Sequence, residues 1–166
     1  MLAVTACATA PASPPSQTDR IIVTTEYRII KTEGTSTSVL VKASPAKVLA
    51  ALTSVYSDLG IEVKLYDPGS GQVGNRNFSR THRLAGEPIS KFLGCGMMVF
   101  GEAADTYRVT MSVVSQVTPR DGGSNLETWL TAAARDLGTS TGDVSCVSRG
   151  TLETRVNQLV LQRIAS

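Results

Sequence analysis

The sequence predicts an α+β fold, in which an antiparallel sheet of about six strands carries two helices packed on one face. Two kinds of apolar spacing support this fold. Two stretches repeat apolar residues at the interval of an amphipathic helix, and several others alternate apolar and polar residues as strands do. Placing both helices on one face of the sheet buries all of these stripes at once. The predicted order is β-β-α-β-β-β-β-α.

The chain is predicted to enter this sheet through a hairpin. Arg20–Lys31 is rich in β-branched residues and is typical of a strand. Glu33–Thr35 supplies a turn, and Ser38–Lys42 forms a second strand. We therefore expect these two strands to pair with each other.

The first helix is predicted between Ser44 and Gly60. Ser44 is a suitable N-cap, Pro45 suits the first helical position, and Gly60 suits the C-terminal stop. Six apolar residues recur at helical spacing and form one stripe that faces the core: Val48, Leu49, Leu52, Val55, Tyr56 and Leu59.

Two strands and a long loop are predicted after this helix. Ile61–Tyr66 alternates apolar and polar residues, Asp67–Gly71 forms a turn, and Gln72–Ser79 returns antiparallel. The pattern is lost over Arg80–Ala104, which glycines and a proline interrupt and which has Cys95 in its middle. A loop of this length inside a compact domain is usually held in place or functional.

The last part of the chain predicts a second hairpin and a second helix. A strand that begins at Asp105 and a returning strand are joined by the loop Pro119–Ser124. Their inward faces comprise Tyr107, Val109, Met111, Val113 and Val117, then Leu126, Thr128, Leu130, Ala132 and Ala134. The helix Thr151–Ile164 has Ser148 as its predicted cap, and Glu153 favours the helix start. Its apolar stripe comprises Leu152, Val156, Leu159, Val160 and Ile164.

Composition places the chain among ordinary globular proteins. Hydrophobic residues make up 42% and charged residues 18% of the 166 positions, so the chain is long and apolar enough for one domain with a real core. The net charge is +2 with no long basic run, which implies neither nucleic acid nor an anionic membrane surface as a partner. The sequence contains no motif for a cofactor and no metal-ligand spacing.

The N-terminal residues Val4–Cys7 are small apart from the valine, and a tether rich in Pro, Ser and Ala follows them directly. This pattern resembles the lipobox of bacterial lipoproteins. The resemblance implies that Cys7 carries a lipid and that residues 1–6 are the remnant of a signal peptide. Residues 7–19 would then be a disordered tether, and residues 20–166 a single domain.

The same resemblance implies a location in the cell. The residue after the cysteine is Ala8 rather than aspartate, which resembles the sorting of lipoproteins to the outer membrane. We therefore expect a domain that is exported from the cytoplasm and held at the bacterial outer membrane, with the inner membrane as the alternative.

Export decides the prediction for the two other cysteines. With Cys7 lipidated, Cys95 and Cys146 remain, and in an oxidising compartment they can pair in only one way. The closed loop spans 51 positions, for which chain entropy predicts about 4 kcal/mol of stabilisation. The alternative is two separate buried thiols. Metal binding fits less well, because the chain has one histidine.

The predicted order is similar to that of helix-grip domains, in which a curved sheet grips a C-terminal helix. Ser44–Val63, with its Ser/Pro-initiated helix and its exit through Leu-Gly-Ile-Glu-Val, resembles the periplasmic domain of BamC-type outer-membrane lipoproteins. That resemblance implies a non-catalytic module that docks envelope proteins. A weaker resemblance, to the START-like superfamily, implies a carrier that holds a small apolar ligand or lipid between the sheet and the C-terminal helix. A filled core would favour docking, and an internal cavity would favour the carrier.

A basic cluster is the first candidate contact site. Alternation places Arg76, Phe78, Arg80 and His82 on one face of an extended segment, next to Arg83. Arginine forks match phosphate oxygens, so the cluster is a candidate site for an anion or a phospholipid headgroup. The alternative is a solvated strand edge whose charges discourage aggregation.

Trp129 is the second candidate, as a contact for a partner protein. If Thr128 faces the helices, Trp129 points to the uncovered side of the sheet, where a tryptophan can anchor a partner. The alternative is that the long loop covers Trp129 with its spare apolar residues, Phe92, Leu93 and Phe100.

The sequence predicts no catalytic site. It contains no Gly-x-Ser-x-Gly motif, His82 has only Glu87 close in sequence, and the aspartates fall at predicted turns. We therefore expect that the protein is not an enzyme. An envelope hydrolase, the third hypothesis, would require a cleft that brings His82 together with a carboxylate.

Overall fold

The computed structural model describes residues 36–99, 101–138 and 142–166, and this part of the chain is α+β as predicted. Its strands are β1 (Ser36–Val41), β2 (Leu65–Asp67), β3 (Gln72–Arg80), β4 (Arg83–Leu84), β5 (Glu87–Pro88), β6 (Leu93–Gly94), β7 (Met97–Met98), β8 (Gly101–Glu102), β9 (Arg108–Arg120), β10 (Gly123–Arg135) and β11 (Val144–Ser148). Its helices are α1 (Pro45–Asp58), α2 (Ala103–Thr106) and α3 (Thr151–Ala165), and Ile89–Lys91 forms a 3₁₀ turn.

Seven of the described strands form one antiparallel sheet around the long β9–β10 hairpin. On the β9 side, β3 and then β2 extend the sheet. On the other side, β10 has two partners: β1 pairs with its first half and β11 with its second half, and β6 lies outside β11. The pairing with β1 reaches Trp129 and the pairing with β11 starts at Ala132, which leaves Leu130 and Thr131 between the two strands.

The two long helices cover one face of this sheet, as predicted. Helix α1 packs on β3 and β9, α3 packs on β10 and β1, and the helices contact each other. All six residues of the predicted α1 stripe are buried, and so are Met111, Leu126 and Leu130 of the sheet. The core is contiguous because helix residues three and four apart, and alternate strand residues, project to the same side.

Helix α1 begins and ends at the expected signals. Pro45 occupies the first turn, and Gly60 has a φ of 69°, in the left-handed region that favours glycine. The N–H of Ile61 then donates to the carbonyl oxygen of Tyr56 at 2.9 Å, which completes a common C-terminal helix motif.

The predicted strand Ile61–Tyr66 is wrong in its first four residues, because strand pairing in β2 starts only at Leu65. The backbone of Ile61 is still bonded to the helix end, so it is not free to pair with β3. The alternation remains, with Ile61 1% exposed and Glu62 exposed. Alternating burial therefore showed which side chains face the core, but not which backbone groups pair.

The β9–β10 hairpin confirms the predicted inward faces and corrects both of its ends. The turn is the two residues Asp121 and Gly122, shorter than the predicted loop. The first strand starts at Arg108, because Asp105 belongs to α2. There the Asp105 carboxylate accepts hydrogen bonds from the N–H and the hydroxyl of Ser90, at 2.8 and 2.6 Å.

The segment predicted as a long loop, Arg80–Ala104, is ordered by short pairings. Strand β4 pairs with β5, β7 pairs with β8, and β6 joins the main sheet through β11. Four of its apolar residues are buried in the main core: Leu84, Ile89, Phe92 and Leu93. Contacts with distant parts of the chain thus order a stretch that has no periodic pattern of its own.

Two further predictions concern the ends of the domain. The predicted strand Arg20–Lys31 lies outside the described residues, and its predicted partner, observed as β1, pairs with β10. The predicted cap Ser148 is wrong, since the residue before α3 is Gly150, which has a φ of 73°. Within the described ranges, no helix is both long and apolar enough to cross a membrane.

Candidate functional site

The sheet face opposite the helices, here called the outer face, is lined by alternate residues of β9 and β10. Its central residues are Ser112, Val114, Gln116, Glu127, Trp129 and Thr131. All of them except Val114 are partly exposed, and only Glu127 among them carries a charge. The outer face is therefore a polar, nearly uncharged surface with one large aromatic group.

Trp129 lies at the centre of the outer face, opposite Val114 of β9 and Ser36 of β1. Val114 is only 3% exposed, although it does not belong to the main core. Side chains that are directly opposite on one face of an antiparallel pair contact each other. Trp129 is therefore placed to cover Val114, and it remains partly exposed to solvent.

The apolar residues that were expected as a cover for Trp129 lie elsewhere. Phe92 and Leu93 are 3% and 0% exposed and belong to the main core on the helix side of the sheet. Phe100 lies outside the described residues. The role of Trp129 as a partner contact stays a prediction.

The predicted alternation of the basic cluster is interrupted in the structure. A bulge between Asn75 and Phe78 shifts the register of β3 against β9. Phe78 consequently faces the core with 9% exposure, whereas Arg76 is exposed. His82 lies beyond the strand with a φ of 66°. These side chains therefore do not share one strand face.

Each of the four basic residues has a separate hydrogen-bond partner. The partners are the side-chain oxygen of Gln72 for Arg76, and the carbonyl oxygens of Gly60, Asp105 and Gly86 for Arg80, His82 and Arg83, at 2.7 to 2.9 Å. His82 thus contacts a main-chain oxygen of Asp105 rather than its carboxylate. The anion site stays a prediction, without a hydrogen bond between its members in the described structure.

A line of hydrogen-bonded polar side chains crosses the interior from α1 to α3. The Thr128 hydroxyl donates to Asn157 Oδ1 at 2.8 Å, and Ser115 bonds both Thr128, at 2.6 Å, and the Tyr56 hydroxyl, at 2.8 Å. Asn157 Nδ2 donates onward to the carbonyl oxygen of Thr37 at 3.0 Å. Each hydroxyl has one proton, so Tyr56 donates to Ser115 and Ser115 donates to Thr128. Burial raises the pKa of Tyr56, which keeps it a neutral donor.

The apolar spacing did not predict this polar line, although the sequence contains two signals for it. Ser115 occupies an inward position between Val113 and Val117, and Asn157 directly follows Val156 of the α3 stripe. A polar residue inside an apolar face is the usual sign of a buried hydrogen bond. Its partner could not be named, because the partners lie on other elements.

Glu153, expected to act at the start of α3 through its charge, is instead fully buried. Its Oε1 accepts a hydrogen bond from the Ser148 hydroxyl at 2.5 Å, and Ser148 Oγ accepts one from the N–H of Gly150 at 3.1 Å. The backbone of Leu130, in the stretch of β10 between β1 and β11, is close enough to the carboxyl group to lower its pKa, against the larger effect of burial. The side chain thus lies near the stretch of β10 that neither β1 nor β11 pairs with.

The surroundings of Glu153 favour its neutral form. Burial raises the pKa of this carboxyl, and the hydrogen bond from Ser148 opposes that effect only in part. Oε2 has no hydrogen-bond partner among the described residues. A negative charge here would therefore be poorly compensated.

The disulfide prediction is confirmed. The sulfur atoms of Cys95 and Cys146 are 2.00 Å apart, and the two residues are 4% and 2% exposed. The bond joins β11 to the irregular segment just after β6. Cys7, the predicted lipidation site, lies outside the described residues.

The surface of the described part of the molecule has shallow depressions, of which two are considered for a site. One of about 430 Å³ lies where α1 ends and is lined by Thr53, Ser57, Gly60, Ile61, Glu62 and Val63. The other, of about 240 Å³, lies at the C-terminal end of α3 and is lined by Leu159, Gln162, Arg163 and Ser166. Neither contains His82. The described residues also contain no group of three or more His, Cys, Asp or Glu side chains suited to a metal ion.

Comparison of the chain with protein-family models and with curated proteins finds no match. The resemblance to bacterial lipoproteins, and to BamC-type domains in particular, therefore rests on the sequence pattern.

Proposed function

We propose that this protein is a non-catalytic lipoprotein of the bacterial cell envelope, held at the outer membrane through Cys7 and docking an envelope protein through the outer face of its sheet. The Val4–Cys7 pattern supports the lipid anchor. The proposal of docking depends on one observation, the partly exposed Trp129 at the centre of a nearly uncharged sheet face.

The chemistry of the outer face fits a docking surface. The core of a protein interface is poor in charged residues and rich in aromatic ones, with hydrogen-bonding groups around it. Trp129 has the hydroxyl and amide groups of Ser112, Gln116 and Thr131 near it on this face, together with the carboxylate of Glu127. The partner we expect is therefore a protein surface with an apolar pocket for the indole ring and polar groups around that pocket.

The packing of the interior favours docking over the carrier alternative. A carrier needs space for its ligand between β10 and α3. The facing residues there are each 0 or 1% exposed and belong to one packed core: Leu126, Leu130, Leu152, Val156 and Val160. Mass spectrometry of lipids extracted from the purified Cys7→Ser protein is expected to show no stoichiometric apolar ligand. A stoichiometric ligand would favour the carrier.

The docking claim is tested by photocrosslinking in cells that naturally make the protein. A photoreactive amino acid at Thr131, on the outer face, is expected to form an adduct with an envelope protein. The same group at exposed Lys47 on α1 is the matched control. Trp129→Ala is expected to abolish the Thr131 adduct, whereas Tyr66→Ala, at another exposed aromatic residue, is expected to leave it unchanged. Equal adducts at both positions, or none, would contradict docking through this face.

The anchor is tested separately with radiolabelled palmitate. The natural chain is expected to incorporate label, and Cys7→Ser is expected to lose it completely. The double variant Cys95→Ser/Cys146→Ser, which removes the two other cysteines, is expected to keep the label. Label that remains on Cys7→Ser would remove the anchor from the proposal.

A further inference from the structure

We propose that one end of the sheet rests on the membrane and that its exposed apolar side chains enter the lipid headgroup region. This end is where β9 begins and β10 finishes, and we call its exposed apolar residues the apolar end: Met97, Met98, Val99, Leu137 and Val144. The inference rests on the proposed anchor at Cys7, since the anchor is what brings the domain to a bilayer.

The exposure of the apolar end is the first observation. Val99 is 91% exposed, Met97 is 72% exposed and Leu137 is 62% exposed. Monomeric soluble proteins rarely expose large apolar side chains next to one another, and such a group marks a contact with a partner or with lipid. Three of the five are consecutive in the chain, at the tip of the β7–β8 hairpin. They therefore form a projection and not a groove.

The hairpin that carries this projection is firmly held at its base. The N–H of Ala103 donates to the carbonyl oxygen of Gly96 at 2.9 Å, and the disulfide at Cys95 ties the preceding residue to β11. The Tyr107 hydroxyl contacts Met98 Sδ at 3.5 Å. The base of the hairpin is thus held next to the start of β9, and Val99 lies in the turn that this base carries.

The register of the sheet places the two other residues at the same end. Arg108, which starts β9, is opposite Arg135, which finishes β10. Val144 is opposite Ala134, the residue that precedes Arg135. Leu137 lies two residues after the end of β10. The hairpin tip, the chain after β10 and the start of β11 therefore surround one end of the sheet.

The direction of β1 links this end to the anchor. Strand β1 runs antiparallel to β10, with Ser36 opposite Trp129 and Val41 opposite Ser124. The chain therefore enters β1 from the side toward which β10 runs, which is the side of the apolar end. Ser36, the first described residue, is the end of β1 nearer the apolar end, and the part of the chain that includes Cys7 precedes it. A lipid on Cys7 and the apolar end can then meet the same bilayer.

The charges around the apolar end favour an apolar contact over an electrostatic one. Arg135 is paired with Asp143, and Arg149 lies 3.4 Å from Glu102. Arg108 at the start of β9 and Asp136 just after β10 add one charge of each sign. Because the two signs are equally represented at this end, binding should not require anionic lipids. Insertion should also be shallow, because the unpaired backbone groups of a hairpin turn cannot be satisfied in hydrocarbon. We therefore take a zwitterionic phosphatidylcholine surface as the expected occupant.

The test uses the full chain and attaches it to vesicles through the free thiol of Cys7. With Cys95 and Cys146 joined, Cys7 is the remaining cysteine, and it can be coupled to a maleimide phospholipid in phosphatidylcholine vesicles with brominated acyl chains. Trp129→Phe removes the native tryptophan. In this background, Val99→Trp reports on the apolar end, and Leu40→Trp, at an exposed residue of β1, is the matched control.

Bromine atoms quench tryptophan only at contact range, so a loss of fluorescence is expected for Val99→Trp and not for Leu40→Trp. The loss should persist at high salt. Equal quenching at both positions, or none at position 99, would overturn the proposal. So would a concentration-dependent dimer of the Cys7→Ser protein that Val99→Ser abolishes, because the apolar end would then bind a second copy. The coupling is chemical, so this result does not depend on whether Cys7 incorporates palmitate.

Discussion

Helices α1 and α3 and the segment 83–106 both contribute to the same core, but different interactions order them. The helices carry apolar stripes at regular spacing, and their residues bury against the sheet with the backbone bonded locally. The segment 83–106 has no such spacing, and its pairs are only two residues long. It is held by four buried apolar side chains and by the Cys95–Cys146 disulfide.

The two regions therefore gain their stability from different interactions. A helix with a continuous apolar stripe gains burial from every turn, so it stays folded without a crosslink. A segment with short strands gains little from pairing, and a covalent bond across 51 positions then becomes a large part of what holds it. The projection at the apolar end belongs to this second region.

The largest expected effect comes from removing the crosslink. Cys95→Ala/Cys146→Ala should lower the free energy of unfolding by about 4 kcal/mol, because the unfolded chain regains the entropy of the open loop. Chemical denaturation measures this loss. In hydrogen exchange, amides of residues 83–106 should lose protection before those of α1.

Reductant supplies the control for the disulfide. It should destabilise the natural chain and leave the double variant unchanged. If α1 and the segment 83–106 lost protection together, the two regions would not differ in the way described here.

The next largest loss of stability is expected from a cavity created in the core under α1. Leu52 of α1 is fully buried, and Leu52→Ala should lower the free energy of unfolding by about 3 kcal/mol through lost burial and the cavity that remains. Lys47→Ala, at an exposed position of the same helix, should change it by less than about 0.5 kcal/mol. A small loss for Leu52→Ala, measured by denaturation, would mean that the helix packs less tightly than the structure indicates.

The smallest expected effect is a dependence of the free energy of unfolding on pH that originates at Glu153. Burial raises the pKa of this carboxyl above its ordinary value of 4.5, so the folded protein binds more protons than the unfolded chain above that pH. The contribution of Glu153 to the free energy of unfolding should therefore fall as the pH rises above 4.5 toward the raised pKa. Denaturation at a series of pH values should show Glu153→Gln becoming more stable relative to the natural chain as the pH increases.

Two comparisons isolate the Glu153 effect. Glu102→Gln, a matched change at a partly exposed residue, should leave the slope in place. The pKa of Asp67 is lowered, chiefly by its hydrogen bonds with Ser70, so its contribution rises with pH in the more acidic range and has the opposite sign. A Glu153→Gln variant with the same slope as the natural chain would contradict the assignment.

Regular spacing made much of the fold predictable. The α1 stripe from Val48 to Leu59, the inward faces of β9 and β10, and the two helices on one face are all confirmed. These features follow from local periodicity, because one repeat of the backbone places a side chain on one side. The disulfide was also predicted, from cysteine count and compartment.

Other features depended on contacts that a sequence pattern does not contain. The strand Ile61–Tyr66 was shortened by a hydrogen bond back to Tyr56, and the basic cluster was split by the bulge after Asn75. Glu153 was interpreted from its place near a helix start, whereas it is buried and hydrogen-bonded to Ser148 of β11. In each case the deciding partner lies on another element.

The two proposed sites also differ in whether local periodicity or contacts between distant segments define them. The sequence alone placed Trp129 on the face away from the helices, because alternate residues of a strand point to opposite sides. It did not indicate the apolar end, since Met97, Leu137 and Val144 are far apart in the chain or lie in irregular stretches. Strand register and the disulfide bring them to one side, and the direction of β1 relates that side to the anchor. Pairing between distant segments is set by the whole core and not by any local repeat.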